Sequence, residues 1–254
     1  MYFFDCCVHY GITCTKKPYL PVQCIEAVLA EMDKEGVTKA VVQRNEQLYG
    51  TDPKTGNCLL ADDIKDKDRL YGCWSIVPSD TGEMDLPGLL VTDMAKKRII
   101  GWKPSPALHR FSVKPYVLED YFETASKHGI PVFIHTGHGY SLENTAEILD
   151  RFPRLTVILT YDNIWPNDRY VRPLIRKYEN VYIELSKMIT AGGLEDFIKW
   201  KGSSRLLFGS GFEDSYFSAG MLMVLQADIK DSDKENIAYK NMENIIGGIR
   251  YGNQ

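Results

Sequence analysis

"IPVFIHTGHGYSLENTAEILDRFPRLTVILTYD", residues 130–162, holds the fold in miniature. An apolar run "IPVFIHTG" reads as a buried strand, "SLENTAEILDRF" as an amphipathic helix, and "LTVILTYD" as a second buried strand. Two apolar strands joined by a helix are the unit of a parallel sheet covered on both faces, because such strands run continuously apolar instead of alternating.

The same rhythm extends in both directions. Upstream, "YFFDCCVH", "KAVVQ", "RLYGCWSIV" and "RIIGWKPS" read as strands, separated by helical stretches that begin with "PVQCIEAVLAEMDKEG". In that first helix Val22, Ile25, Val28, Leu29 and Met32 share one face, and Gly36 supplies a stop. Downstream, "NVYIELS" and "RLLFGSG" complete a set of eight strand-then-helix units with a period of roughly 30 residues, which predicts an α/β fold, a (β/α)8 TIM barrel. "DKENIAYKNMENIIGG" adds a C-terminal helix outside or beneath the barrel. An open doubly wound sheet is the rival architecture, but no GxGxxG follows the first strand. Residues 1–254 read as one domain without a linker.

Composition narrows the partners. A chain of 254 residues that is 44% hydrophobic and 25% charged, with a net charge of −4, is an ordinary globular protein. Its longest basic run is Lys96, Lys97, Arg98, which disfavours nucleic acid and anionic membrane as partners and leaves a small-molecule substrate or ligand; a homo-oligomer is compatible with this. Asp5 and His9 interrupt any signal-like apolar start, so a cytoplasmic location is expected. The six cysteines show no CxxC spacing and are expected to be reduced thiols.

Barrels of this kind gather their chemistry at the C-terminal ends of the strands. Those ends carry Cys7 and His9, Lys103, His135 and His138, Tyr161 and Asp162, Glu184, and finally Gly211 with Glu213 and Asp214. Alternation along a strand would put Asp5, Cys7 and His9 on one face, with Cys6 on the other. If that face is the interior, Cys7, His9 and His135 could supply three ligands to zinc. Each has a blander reading: Cys7 as a small core residue, His138 as a solvated loop residue, Tyr161 and Trp165 as packing, Arg169 and Arg172 as a solvated helix face. Glu184 would be costly if buried alone, so it is expected to have a partner or a ligand.

The order of "FFDCCVHYG", "GWKPSPALHRF", "GIPVFIHTG", "FPRLTVILTYDN", "RLLFGSGFED" and "IAYKNMENIIG" resembles the amidohydrolase-2 family of the amidohydrolase superfamily. The resemblance implies a metal-dependent hydrolase barrel acting by hydrolysis or decarboxylation on a small carboxylated or cyclic substrate. It also implies a divalent metal held by a D-x-H-x-H strand, a histidine after strand 5, a histidine after strand 6, and an aspartate after strand 8 that helps activate water. Asp5, His9 and His135 match that pattern. Cys7, Tyr161 and Gly211 stand where two histidines and the aspartate are expected.

The site is therefore expected to be remodelled or degraded. Cys7, His9 and His135 are the candidate metal ligands, with zinc the expected ion, and His9, His135 and Glu213 are the candidate catalytic groups. Lys103, His138, Tyr161, Asp162 and Glu184 are the candidate substrate contacts. General-base catalysis typically contributes about 10²- to 10⁴-fold, so replacement of the aspartate by Gly211 is the heaviest loss. Two alternatives follow from it. One is a metal-free, inactive barrel that serves as a ligand-binding or interaction module; the other is a metal-independent acid/base hydrolase.

Overall fold

Eight parallel strands run around one sheet in sequence order, β1 (Phe4–Tyr10), β2 (Lys39–Arg44), β3 (Leu70–Ile76), β4 (Ile99–Pro104), β5 (Val132–His135), β6 (Val157–Thr160), β7 (Val181–Glu184) and β8 (Leu206–Leu207). The computed structural model describes residues 1–12, 21–50, 52–160 and 164–252. The predicted (β/α)8 barrel is the observed fold.

The strands pair because their side chains sort into two apolar layers. On β5 and β6, Val132, Ile134, Val157 and Leu159 join the outer core under the helices, while Phe133 and Ile158 join an inner cluster that fills the barrel. The helix between them, Leu142–Arg151, starts where Ser141 Oγ accepts the Asn144 amide at 3.1 Å and Asn144 Oδ1 accepts the Ser141 amide at 3.1 Å. The helix Ile25–Glu35 buries Ile25, Val28 and Met32 and stops at Gly36, whose φ of +83° suits a residue without a Cβ.

β8 is only two residues long because Phe208 turns its amide to Ile237 O at 2.9 Å instead of continuing the ladder. The seam to β1 is closed by other bonds. Cys6 N donates to Phe208 O at 2.9 Å, His9 N to Phe212 O at 2.5 Å, and Gly211 N to Cys7 O at 3.1 Å. The C-terminal helical segment, Asp231–Glu235 and Asn241–Gly247 joined through a π-type turn, lies beneath the barrel: Met242 and Ile245 belong to the inner cluster. Among the described residues, no helix is long and apolar enough to cross a membrane.

The first strand departs from simple alternation. Asp5 pairs with Ala40 and Val8 with Val42, so three steps on β1 face two on β2 and the strand carries one extra residue. The expected common face of Asp5, Cys7 and His9 is therefore broken, and Cys6 does not face away from Cys7. Phe4, Cys6 and Cys7 all lie in the inner cluster, while Phe3, Val8 and Tyr10 lie in the outer core.

Packing inside the barrel is complementary enough to test. A Cβ on Gly101 would come within 2.5 Å of Phe133 Cε2, so the glycine and the ring fit as a pair. Phe133→Ala is expected to lower unfolding free energy by about 3–5 kcal/mol in denaturant titrations. Phe133→Leu, which refills most of the space, should cost markedly less; equal losses would contradict this packing.

Candidate functional site

Above the inner cluster, the last inward position of each strand forms a polar ring. His9, Gln43, Ser75 and Lys103 come from β1 to β4, and His135, Thr160 and Glu184 from β5 to β7. Gly209, just past β8, leaves room for its neighbours: a Cβ there would meet Glu184 Oε2 at 2.5 Å and Cys7 Cβ at 3.2 Å.

Lys103 is 3% exposed, and its Nζ lies 3.1 Å from His9 Nε2. An ammonium can only donate to Nε2, whereas Gln43 Oε1 can only accept from it, so the two neighbours compete for that nitrogen. The Gln43 carboxamide flanks the same nitrogen at 3.2 Å, and Gln43 Nε2 reaches Ser75 Oγ at 3.4 Å. The charge of Lys103 also reaches beyond His9, since it pulls on the Cys73 thiol, although burial still pushes that group up to about 12.

His135 sits half-buried at the end of β5. Its Nδ1 accepts the Gly137 amide at 2.9 Å, which places the ring proton on Nε2. Gly137 permits this turn, because a Cβ there would lie 2.7 Å from His135 Cε1. The His138 ring stacks on His135 with centroids 4.0 Å apart, and Ser105 Oγ lies 3.2 Å from His138 Nδ1. His138 is thus buried at the site, not solvated, and burial with the nearby Lys103 charge holds its pKa far below the usual histidine range.

The acids are tied down. Glu184 is 1% exposed, and its oxygens accept the Ser186 amide at 2.6 Å and the Ser186 hydroxyl at 2.7 Å, which is the expected partner. Glu213 accepts from Asn45 Nδ2 at 2.7 Å and from the Val22 amide at 3.2 Å. Asp5 accepts the Cys7 amide at 2.8 Å and the Ser210 amide at 3.1 Å, while burial pushes its carboxyl up to about 7. His9, His135, His138 and Glu213 line one narrow cleft of about 20 Å³, joined by Asn45 and Tyr49, which the sequence did not single out.

Tyr161 and Asp162 lie outside the described residues, as does the side chain of Trp165. Arg172 is ion-paired with Asp168 and Asp196, away from the cleft, and Arg169 is exposed. Cys7 packs in the apolar layer below the ring with Phe4, Val41 and Ile158.

The expected metal set is accordingly not gathered. Among the described residues, no group of three histidine, cysteine or acidic side chains is placed to hold a metal ion. His9 Nε2 lies 3.1 Å from the Lys103 amine, and Gly209 and Gly211 offer no side-chain donor; Tyr161, at an expected ligand position, and Asp162 lie outside the described residues.

The sequence model described as Amidohydrolase matches residues 15–245. The chain belongs to this amidohydrolase family. No curated protein matches it. Solved structures resemble it in fold. One is a 2,6-dihydroxybenzoate decarboxylase from Rhizobium, 15% identical with a TM-score of 0.74, covering 97% of this chain and 98% of its own. Another is a dihydroxybenzoic acid decarboxylase from Polaromonas with bound manganese and the inhibitor 2-nitroresorcinol, 15% identical with a TM-score of 0.74, covering 97% of each chain. A third, from Pseudomonas putida, is assigned as a 2-pyrone-4,6-dicarboxylic acid hydrolase; it is 10% identical with a TM-score of 0.71, covering 97% of this chain and 98% of its own.

The depressed pKa of His138 gives a signed expectation. In the unfolded chain the ring takes up a proton below about pH 6.5, whereas the folded site refuses it, so stability is full above that pH and falls as the pH drops through it. This group alone should contribute a loss of up to about 1.4 kcal/mol per pH unit toward pH 5. His138→Asn should flatten the pH dependence of the unfolding free energy by that amount; parallel profiles would contradict a buried neutral His138.

Proposed function

We propose that this amidohydrolase-family barrel takes a small carboxylated molecule into the cleft above the ring and removes its carboxylate as CO2. The observation that carries this reading is the pairing of a buried cation with a proton donor at one mouth. Lys103, in the layer below the cleft and in contact with His9, supplies positive charge toward a carboxylate, and His135 lines the cleft itself.

Decarboxylation needs an acid more than it needs a base. The carbon that bears the carboxylate takes a proton, its bond to the carboxylate carbon breaks, and the bonding electrons return to the substrate as CO2 leaves. His135, positioned by the Gly137 amide and by stacking on His138, would deliver that proton from its imidazolium form, reached when Nδ1 takes up a proton from solvent in place of the Gly137 contact, and would return to the neutral ring. His138, held neutral, adds no competing positive charge to the cleft.

Hydrolysis is served less well. A base for water is expected near Gly211, and Glu213, the nearest carboxylate in sequence, is already engaged by the Asn45 side chain and the Val22 amide. Glu213 is better placed as a polar wall that orients a substrate hydroxyl. The decarboxylases of similar fold act on hydroxylated aromatic acids, which suit a cleft with this chemistry. Binding without turnover is the second reading, favoured by the missing carboxylate at Gly211.

A panel of hydroxybenzoates followed by CO2 release separates the two. Turnover that falls by about 10²- to 10⁴-fold in kcat in His135→Asn, with a smaller change in KM, is the expected result. Saturable binding with no CO2 would establish the binding module, and neither binding nor turnover across the panel would overturn the proposal.

A further inference from the structure

We propose that a second cavity, built from the loops that follow β2, β3 and β4, binds a small amphoteric acid, an apolar body that carries both a carboxylate and an amine. This site stands apart from the proposed function, because it shares no lining residue with the cleft of His9 and His135.

The cavity is about 540 Å³, within the range that holds a small organic molecule. Its walls come from three neighbouring loops: Gly50 after β2, Val77 and Glu83 after β3, and Leu108, Arg110 and Phe111 after β4. Val77 is buried and Phe111 packs against the outer core, so the barrel itself holds the apolar walls. His109 fixes the same rim. Its Nε2 donates to Gln47 O at 3.0 Å, and burial lowers its pKa, so at neutral pH it adds no charge.

The charges on the rim point to a ligand. Among the described residues, two that are not glycine hold a positive φ: Arg98 at 56° and Arg110 at 58°. That conformation favours glycine, so each arginine is held against its own backbone preference. Arg98 has partners in the chain, since its Nη1 lies 2.9 Å from Asp68 Oδ1 and its guanidinium rests 5.2 Å from the centre of the Tyr71 ring. The Arg110 guanidinium has no ion pair, hydrogen bond or ring contact among the described residues, and it lines the cavity.

Glu83 lines it too. One of its oxygens accepts the Thr81 hydroxyl at 2.7 Å, and its charge is in no ion pair among the described residues. Two opposite charges thus share one cavity without meeting each other. A guanidinium matches a carboxylate through two parallel hydrogen bonds, and a carboxylate accepts from an ammonium. One of each, beside apolar walls, suits a zwitterion and disfavours a dianion or a dication.

Calorimetric titration with three probes tests this. L-Phenylalanine is expected to bind saturably, and more tightly than 3-phenylpropionate, which lacks the amine, or 2-phenylethylamine, which lacks the carboxylate. Arg110→Gln should weaken L-phenylalanine and 3-phenylpropionate by about tenfold or more, the worth of a charge-assisted hydrogen bond, and leave 2-phenylethylamine unchanged. Glu83→Gln should do the converse. Arg110→Gly separates binding from folding: glycine suits that backbone, so the melting temperature should hold or rise while the affinity for L-phenylalanine falls. His135→Asn, in the cleft, should leave all three affinities unchanged. Binding abolished by His135→Asn, affinity insensitive to Arg110→Gln, equal affinity for the three probes, or no saturable binding of any of them would overturn the proposal. A lack of CO2 release from hydroxybenzoates, with binding here intact, would sink the proposed function and leave this site standing.

Discussion

The carboxyl of Asp5 bridges two amides, Cys7 on the first strand and Ser210 beyond the last, and the mouth of the barrel depends on that bridge. β8 is too short to close the sheet by a full ladder, so the seam relies on Asp5 and on the bonds from Cys6, His9 and Gly211 to their facing carbonyls. A buried carboxyl between two amide donors is satisfied without a cation. Asp5 matches a position of the family's first motif, and here its work is structural.

The extra residue in β1 follows from the same seam. It lets Cys6 and Cys7 both turn inward below the ring while His9 still arrives at the ring itself. That shift takes Asp5 out of the face that Cys7 and His9 share. His9 meets Lys103 across the opening, and the field of that ammonium extends to His138 and Cys73. The two ends of the catalytic proposal, a fixed positive charge and a fixed proton donor, therefore stand on neighbouring strands β4 and β5, which the barrel holds in register through Trp102 and Val132.

Much of the fold was legible in the sequence, because eight apolar strands alternating with amphipathic stretches leave few architectures, and Gly36 and Ser141 mark helix ends locally. The ring was legible in part. His9, Lys103, His135, His138, Glu184 and Glu213 were all picked out from their places at strand ends, and the structure brings most of them to one mouth. The bulge was not legible, since nothing in "FDCCVHY" marks where the strand carries one extra residue. Nor was the contact between Lys103 and His9, which joins residues 94 apart in the chain through closure of the barrel. Asn45 and Tyr49 were missed for a related reason: they line the cleft from the short helical turn after β2, Glu46–Tyr49 with Asn45 before it, where a sequence shows polarity but not direction.

The claim that the ring is a carboxylate site centred on Lys103 is tested most directly by a crystal structure of the protein soaked with 2,6-dihydroxybenzoate. The account predicts the carboxylate within hydrogen-bond reach of Lys103 Nζ, with the aromatic ring facing His135. Density for a metal ion between His9 and His135, or a carboxylate bound elsewhere on the molecule with the cleft left to water, would contradict it.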